Sequence, residues 1–294
     1  MTIVNNIPKR LAKVGYLRHF ILFVTFCMSF CYVHAQDVNA DESTIVSKKE
    51  YTRYLGFGIG AAYRMFLDPV VSSIRYSKTG ATGSITNIKT NETKYTELYF
   101  QASYMEMNRP SDALLKAHVK MLNGLMDYRH FYKIDVPFLN DGIFDVRAGG
   151  MFSTQFCTKN AEHLGNSAHV KEYDVSLGAG IRVVKQQYAT DRKTYLIWEL
   201  SMPFIAVIGR PGYLNQAGIL NTDHNSFSDF FANNSVGTFG KFTRINSRLS
   251  YLYAIKNGNK LRFTYQWDFY KMKNESGKTY NAEHSFIMTY SFNY

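Results

Sequence analysis

The last nine residues of the chain, 286–294, read FIMTYSFNY. Large side chains occupy every second position from Phe286 to Tyr294, and Ile, Thr, Ser and Asn stand between them. A period of two is the spacing at which side chains of a β-strand point to the same face. This stretch therefore predicts a strand with one aromatic face.

The two segments before it show the same alternation. Residues 261–269 carry a large apolar side chain at every second position, opposed by polar residues such as Arg262 and Asp268. Residues 241–256 repeat the pattern, and Asn257-Gly258-Asn259 joins the two segments. Gly in such a joint allows the positive φ of a tight hairpin turn. Residues 241–294 therefore predict three consecutive antiparallel strands.

Alternation toward the N-terminus predicts seven further strands, less cleanly over 94–107 and 119–136 and least clearly over 73–90. The fold class is then all-β, an antiparallel up-and-down transmembrane β-barrel of about ten strands. The alternative is twelve strands, with a hairpin inside 73–90, where Gly80 and Gly83 lie, or inside 209–240. The ten predicted strands are 52–66, 73–90, 94–107, 119–136, 143–156, 170–185, 192–208, 241–256, 260–271 and 282–294.

The predicted connections alternate in length. Short turns fall at 91–93, 137–142, 186–191 and 257–259, and longer loops fall at 108–118, 157–169, 209–240 and 272–281. The first connection, at 67–72, is short. Short periplasmic turns and longer external loops are typical of outer-membrane barrels. With an even strand count, this pattern places both ends of the barrel chain on the periplasmic side.

Composition and face chemistry favour a membrane barrel over a soluble one. Aromatic residues make up 16% of the chain, with 22 Tyr and 22 Phe. No apolar run beyond residue 35 has the 18 or more residues of a spanning helix. The apolar strand faces carry Phe, Tyr, Trp and Leu, which are too large to fill a narrow barrel. They are therefore predicted to face lipid, with the polar faces pointing inward.

The inward faces combine Gly with charges of both signs. These charges predict either the selectivity lining of a pore or a salt-bridge network that plugs the barrel, and the narrow bore of ten strands favours the plug. The predicted lumen residues are Arg64, Asp145, Arg147, Asp174, Arg182, Glu199, Arg244, Arg248, Arg262 and Asp268.

The N-terminal region has the order of a secretory signal. Basic residues precede the apolar run 20–32, and small Ala35 follows it, which predicts cleavage after Ala35. The predicted organisation is a signal peptide over 1–35, a flexible periplasmic arm over 36–51 and the barrel over 52–294. Cys27 and Cys31 leave with the signal, so only Cys157 remains and no intrachain disulfide is expected.

The basic character of the chain does not predict a nucleic-acid partner. Its formal charge is +11, of which four positive charges lie in residues 1–35 without an acid. The remaining excess is scattered instead of lying on one stripe or tail. The basic residues of the predicted loop regions are expected to face the phosphates of lipopolysaccharide. They are Lys159, Lys271, Lys273 and Lys278.

In layout the chain resembles the uncharacterised outer-membrane β-barrel families of Gram-negative bacteria. The resemblance rests on the signal peptide, the alternating strands and the aromatic final strand. It implies a location in the cell outer membrane, insertion by the barrel-insertion machinery, and contact with membrane lipid and lipopolysaccharide. No motif is matched residue by residue, so no functional residue is carried over, and the oligomeric state stays open.

Three functions remain open at this point. The first is a structural, ligand-binding or narrow-channel, porin-like role without catalysis. The second is a hydrolase of lipid or peptide at the external rim, with Asp223, His224 and Ser226 as catalytic candidates in loop 209–240, since His beside Asp and Ser can serve as a base for a nucleophile. The third is a soluble periplasmic barrel that binds a lipophile inside. The spacing of His and Cys predicts no metal site, and no cofactor motif is present.

Overall fold

The computed structural model describes residues 51–68, 72–108, 118–136, 143–161, 169–189, 192–209, 234–255, 257–274 and 277–294. The predicted signal peptide, the arm up to residue 50, and Asp223, His224 and Ser226 lie outside these ranges. The strands are β1 (Thr52–Asp68), β2 (Ser72–Thr90), β3 (Lys94–Asn108), β4 (His118–Lys133), β5 (Phe144–Asn160), β6 (His169–Ala189), β7 (Arg192–Gly209), β8 (Asn234–Thr238), β9 (Phe242–Ala254), β10 (Lys260–Asn274) and β11 (Gly277–Asn293).

All neighbouring strands are antiparallel, and the sheet closes on itself. β1 pairs with β11 along nearly its whole length, and β6 pairs with β7 to complete the ring. The short β8 and the longer β9 pair with successive parts of β7, so together they occupy one position in the ring. We call each such position in the ring a stave, whether one strand or two occupy it. The barrel thus has ten staves, which confirms the predicted fold class. The hairpin alternative for residues 73–90 is wrong, because Ser72–Thr90 is one strand.

We call the two ends of the barrel the turn end and the loop end. At the turn end lie the residues 91–93 between β2 and β3, Gly258 before β10, and the final residue Tyr294. At the loop end, β1, β3, β5, β7 and β10 end and β2, β4, β6, β8 and β11 begin. Gly258 adopts a φ of 84° in the turn that its sequence predicted.

Several strands extend further toward the loop end than the alternation indicated. β10 and β11 are separated by only two residues, so the predicted long loop 272–281 is mostly strand. Paired residues in this extension include Lys273 opposite Lys278. The backbone ladder continues past the apolar belt, but its side chains there are polar on both faces. The alternation of apolar and polar side chains therefore ends before the backbone pairing of β10 and β11 does.

The faces of the barrel have the polarity opposite to that of a soluble protein. On β11, Phe286 is 64% exposed on the outer surface, whereas the neighbouring Ile287 is 3% exposed and points inward. The same alternation holds in β1, β9 and β10, with aromatic and aliphatic residues outside and polar residues buried inside. The part of the chain that the structure describes has no helix long and apolar enough to cross a membrane.

Candidate functional site

The interior at mid-height is occupied by a group of buried ions, which we call the central cluster. It lies among β3, β4, β6, β7, β9 and β10, so its members come from strands spread around the barrel. Isolated charges cannot be buried at this depth without partners because desolvation is costly. The cluster consists of Glu97, Asp127, Arg129, Arg182, Glu199, Arg248 and Arg262.

Glu97 is the first of two carboxylates that hold the cluster together. It is fully buried, and Arg248 of β9 donates to it. Arg262 of β10 donates to its other oxygen at 3.3 Å, as does the hydroxyl of Thr86 at 3.3 Å. Three staves separate β3 from β10, so the hydrogen bond from Arg262 to Glu97 crosses the interior and does not follow the wall.

Glu199 of β7 is the second organising carboxylate. The Nε of Arg182 donates to its Oε1 at 3.1 Å, and its Oε2 lies 2.9 Å from Arg248. Arg129 and Arg262 also donate to Oε2, at 3.4 and 3.3 Å. Each of the two carboxylates thus bridges arginines from different strands, and hydrogen bonds to ionised groups are among the strongest in proteins.

A second ionic group lies on the loop-end side of the central cluster. Arg244 binds Asp268 in a bidentate manner, at 3.0 and 2.5 Å, and lies 3.7 Å from Asp174. Its Nη1 donates to the hydroxyl of Ser153 at 3.1 Å, and Ser153 donates to Asp127 of the central cluster at 2.6 Å. The two groups therefore form one continuous network.

Arg64 lies apart from both groups and pairs with a residue that the sequence did not indicate. Its Nε donates to Glu283 of β11 at 2.6 Å. Gln101 of β3 donates to the other oxygen of Glu283 at 3.0 Å, across the interior. This contact adds another bridge, between two strands that have β2 and β1 between them in the wall.

Lys159 occupies a site that contradicts its sequence interpretation. It was expected to face lipopolysaccharide from a loop, yet it lies in β5, 1% exposed. Its Nζ is 2.9 Å from Asp68 and 2.8 Å from Glu172, and Tyr270 donates to Glu172 at 2.5 Å. β5 extends to Asn160, so position 159 has the inward parity of the strand and not the exposure of a loop.

Apolar side chains close the interior near both ends. Toward the loop end, Phe66 and Tyr76 stack at 5.2 Å beside Met105 and Met121, and the free thiol of Cys157 is buried in the same group. Toward the turn end, Tyr54, Ile88, Tyr95 and Phe131 form a smaller group. The central cluster and the Arg244 group therefore lie between apolar groups that limit their contact with water.

The structure sorts the ten predicted lumen residues into groups. Arg182, Glu199, Arg248 and Arg262 are in the central cluster, and Asp174, Arg244 and Asp268 are in the second group. Asp145 and Arg147 pair with each other near the turn end at 2.7 Å, and Arg64 pairs outside the set. Buried charged residues outside the predicted lumen set include Asp68, Glu97, Asp127, Arg129, Lys159, Glu172 and Glu283.

A signal for some of the missing residues was present in the sequence. Glu283 continues the inward parity of Ser285, Ile287 and Thr289 in the last strand by one more step. The sequence does not indicate that Glu97 is an interior residue, because Tyr95 and Tyr99 flank it on the same face of β3 and that face therefore reads as apolar. Large aromatic residues on the inward face of β3 thus concealed its polarity.

A closed antiparallel sheet with an apolar outside and a charged inside defines a class of protein. In lipid every backbone group must be paired within the protein, which a closed barrel achieves, and its outward face must be apolar. An even number of antiparallel strands with this polarity is the architecture of single-chain barrels of the bacterial outer membrane. The chain is therefore an outer-membrane β-barrel.

Solved structures with a similar course of the chain come from the same class. The outer membrane protease OmpT from Escherichia coli has a TM-score of 0.44 and 8% identity, covering 86% of this chain and 99% of that one. The translocator domain of the autotransporter NalP from Neisseria meningitidis scores 0.37 at 7% identity, covering 97% and 98%. Neisserial surface protein A scores 0.32 at 9% identity, covering 82% and 97%.

No family model and no curated protein sequence matches the chain. The three scores are low, so these similarities carry no information about activity. The assignment to the class rests on the strand pairing and on the polarity of the two faces.

Proposed function

We propose that this outer-membrane barrel is closed to solutes, and that it serves as a structural or ligand-binding protein of a Gram-negative cell envelope. The observation that carries the proposal is the bridge from Arg248 to Glu97. It joins β9 to β3, which are five staves apart in a ring of ten and so face each other across the interior. Hydrogen-bonded side chains that span the interior leave no continuous path for a solute.

The charge balance of the interior supports the same conclusion. A conducting cation or anion pathway is lined by an excess of one sign. Here each inward carboxylate described above lies within reach of an Arg or Lys, and most of these groups are buried. Paired charges of opposite sign at this depth stabilise one another, so the central bridge presents no carboxylate without a cationic partner to a passing ion.

Liposome swelling tests the proposal. Liposomes containing the purified full chain should not swell in an isotonic solution of a small sugar. Replacing Glu97 and Arg248 together with Ala removes both ends of the central bridge and should permit swelling. Glu106→Ala, on the outward face of the same strand, is the matched control and should behave as wild type. Swelling with the wild-type protein would refute the closed barrel and leave a narrow channel.

Lipopolysaccharide is the partner that the outer surface supports best. Lys273 and Lys278 are both exposed and stand directly opposite each other in the β10–β11 ladder at the loop end. Like charges in opposite positions of a ladder repel each other. A phosphate group placed between them would relieve this repulsion, which favours an anionic lipid surface at this end. Membrane insertion by the barrel-insertion machinery, through the aromatic final strand, belongs to the same proposal.

The rim hydrolase stays a prediction, because Asp223, His224 and Ser226 lie outside the described residues. The soluble lipophile-binding barrel conflicts with the polarity of the faces, since the interior holds ion pairs and the outside is apolar. Recovery of the protein in the outer-membrane fraction, with migration in a detergent gel that changes on heating, would exclude the soluble barrel, and unchanged lipid-A structure and peptide cleavage after His224→Ala would exclude the hydrolase.

A further inference from the structure

A small cavity opens in the interior near the turn end, on the side of the central cluster away from the loops. Its volume is about 60 Å³, and Tyr54, Tyr95, Arg182, Lys260 and Arg262 are among its lining residues. The aliphatic residues Ile88, Ile197 and Leu252 also line it, and its size leaves room for several waters or one small ion. No carboxylate is among the lining residues.

Two buried hydrogen-bond donors of the lining residues have no acceptor in the described part of the chain, and an ammonium group lies beside them. Arg262 uses its Nη atoms on Glu97 and Glu199, but its buried Nε has no partner in the described part of the chain. The hydroxyl of Tyr95 is also buried and unpartnered within the same residues. Lys260 Nζ lies 3.9 Å from the centroid of the Tyr54 ring and forms no ion pair with any described carboxylate. Buried donors without acceptors are rare in folded proteins.

The surrounding charge has the same sign as these donors. The central cluster together with Lys260 holds five cations and three carboxylates, whereas the two groups toward the loop end, around Arg244 and Lys159, hold two cations and four carboxylates. The pairs Arg64–Glu283 and Arg147–Asp145 are each neutral. The interior is therefore polarised along the barrel axis, with its positive side at the cavity. The first set is Arg129, Arg182, Arg248, Lys260 and Arg262 with Glu97, Asp127 and Glu199; the second is Lys159 and Arg244 with Asp68, Glu172, Asp174 and Asp268.

We propose that this cavity binds a small oxyanion, a phosphate or a carboxylate, at the turn end of the barrel. Arg262 and Arg182 are fixed in place by Glu97 and Glu199, so they are positioned before a ligand arrives. Lys260 is held only by its contact with the ring of Tyr54 and can turn toward the ligand. The anion supplies acceptors to the unpartnered donors and offsets the local positive charge.

Calorimetric titration of the detergent-solubilised full chain tests the proposal. Inorganic phosphate and acetate are titrated separately at constant ionic strength, and at least one of them should bind. The anion that binds more tightly shows whether the site prefers a phosphate or a carboxylate. Lys260→Gln should weaken binding about tenfold or more, since a hydrogen bond to an ionised group is lost. Lys271→Gln is the matched control: it lies on the same strand, with its ammonium 5.9 Å from the Tyr280 ring, away from the cavity.

Tyr95→Phe provides a second variant that keeps the ring and removes only the unpartnered hydroxyl. It should weaken the binding of the anion while leaving the protein at least as heat-stable as wild type in anion-free buffer, because a buried group without a partner has been removed. Absence of heat with both anions overturns the proposal. So does binding that is equal in wild type, Lys260→Gln and Tyr95→Phe.

Discussion

Arg248 of β9 donates to Glu97 of β3 across the centre of the barrel, although 151 residues separate them in the chain. The two strands face each other in the ring of ten staves. Side chains therefore brace the closed sheet from within.

Glu97→Gln should destabilise the protein strongly. The substitution leaves Arg248 and Arg262 without one of their two shared carboxylates in a buried site. Breaking a buried ion pair from one side costs about 3–5 kcal/mol. Denaturant unfolding in detergent, followed by the heat-dependent gel shift, measures the change in the free energy of unfolding.

Asp145→Asn is the control for that experiment. It also removes a carboxylate from an arginine, but the side chain of Asp145 is 33% exposed, so water screens the pair with Arg147. The expected loss is at most about 1 kcal/mol. Equal losses in the free energy of unfolding for Asp145→Asn and Glu97→Gln would show that the stabilising effect of the central cluster does not depend on its burial.

Gly60→Ala should impair folding through a clash in the wall. A Cβ at position 60 would lie 1.9 Å from the backbone oxygen of Phe286 on β11, so the two strands would have to move apart. Overpacking of this kind costs about 1–3 kcal/mol. Gly150→Ala on β5 meets nothing within 4 Å and should fold normally. The folded fraction after refolding into detergent distinguishes the two variants, and equal yields would contradict the pairing of β1 with β11.

Phe286→Arg should be costly because the residue lies midway along β11 on the outer surface. Arg facing lipid costs about 2–4 kcal/mol at the middle of the bilayer and about 0–1 kcal/mol near its edges. Phe292→Arg, on the same face near the turn end, should therefore cost much less. Unfolding from lipid bilayers gives both values. A similar cost at the two positions would argue against a membrane-spanning β11.

Lys273→Gln combined with Lys278→Gln should weaken adhesion to lipopolysaccharide. The two exposed lysines face each other at the loop end, whereas Lys159 is buried between Asp68 and Glu172. Lys159→Gln should leave lipopolysaccharide binding unchanged while lowering stability. Binding to immobilised lipopolysaccharide at low salt is the measurement, because screening reduces such contacts at high salt. Weaker binding by Lys159→Gln alone would contradict its burial.

The alternation of side chains was sufficient to predict the ten strands and the outward face of those that alternate cleanly, such as β11, but not the faces of β3. The pattern of Phe286, Met288 and Phe292 depends only on the two-residue period of a strand, which is a local property. The loop-end boundaries of β5, β10 and β11 were not predictable in this way. Beyond the lipid boundary the outer face no longer needs apolar residues, and the alternation is lost although the backbone pairing continues.

The partners within the interior could not be predicted from the sequence. Whether Arg248 meets Glu97 or a carboxylate on another strand depends on the stagger between strands and on the diameter of the closed sheet. These are properties of the whole ring. A stagger different by two residues would keep every side chain on its face and still change each ion pair. The sequence thus predicted a mixed-charge lumen but not the bridge that closes it.

Current through a planar lipid bilayer tests the closed barrel most directly. Wild-type protein inserted from detergent should give no current steps, whereas the double variant Glu97→Ala, Arg248→Ala should give discrete steps of uniform size. Insertion is verified for both by the heat-dependent gel shift of protein recovered from the same lipid. Stable, uniform steps from the wild-type protein would contradict an interior closed by the bridge from Arg248 to Glu97.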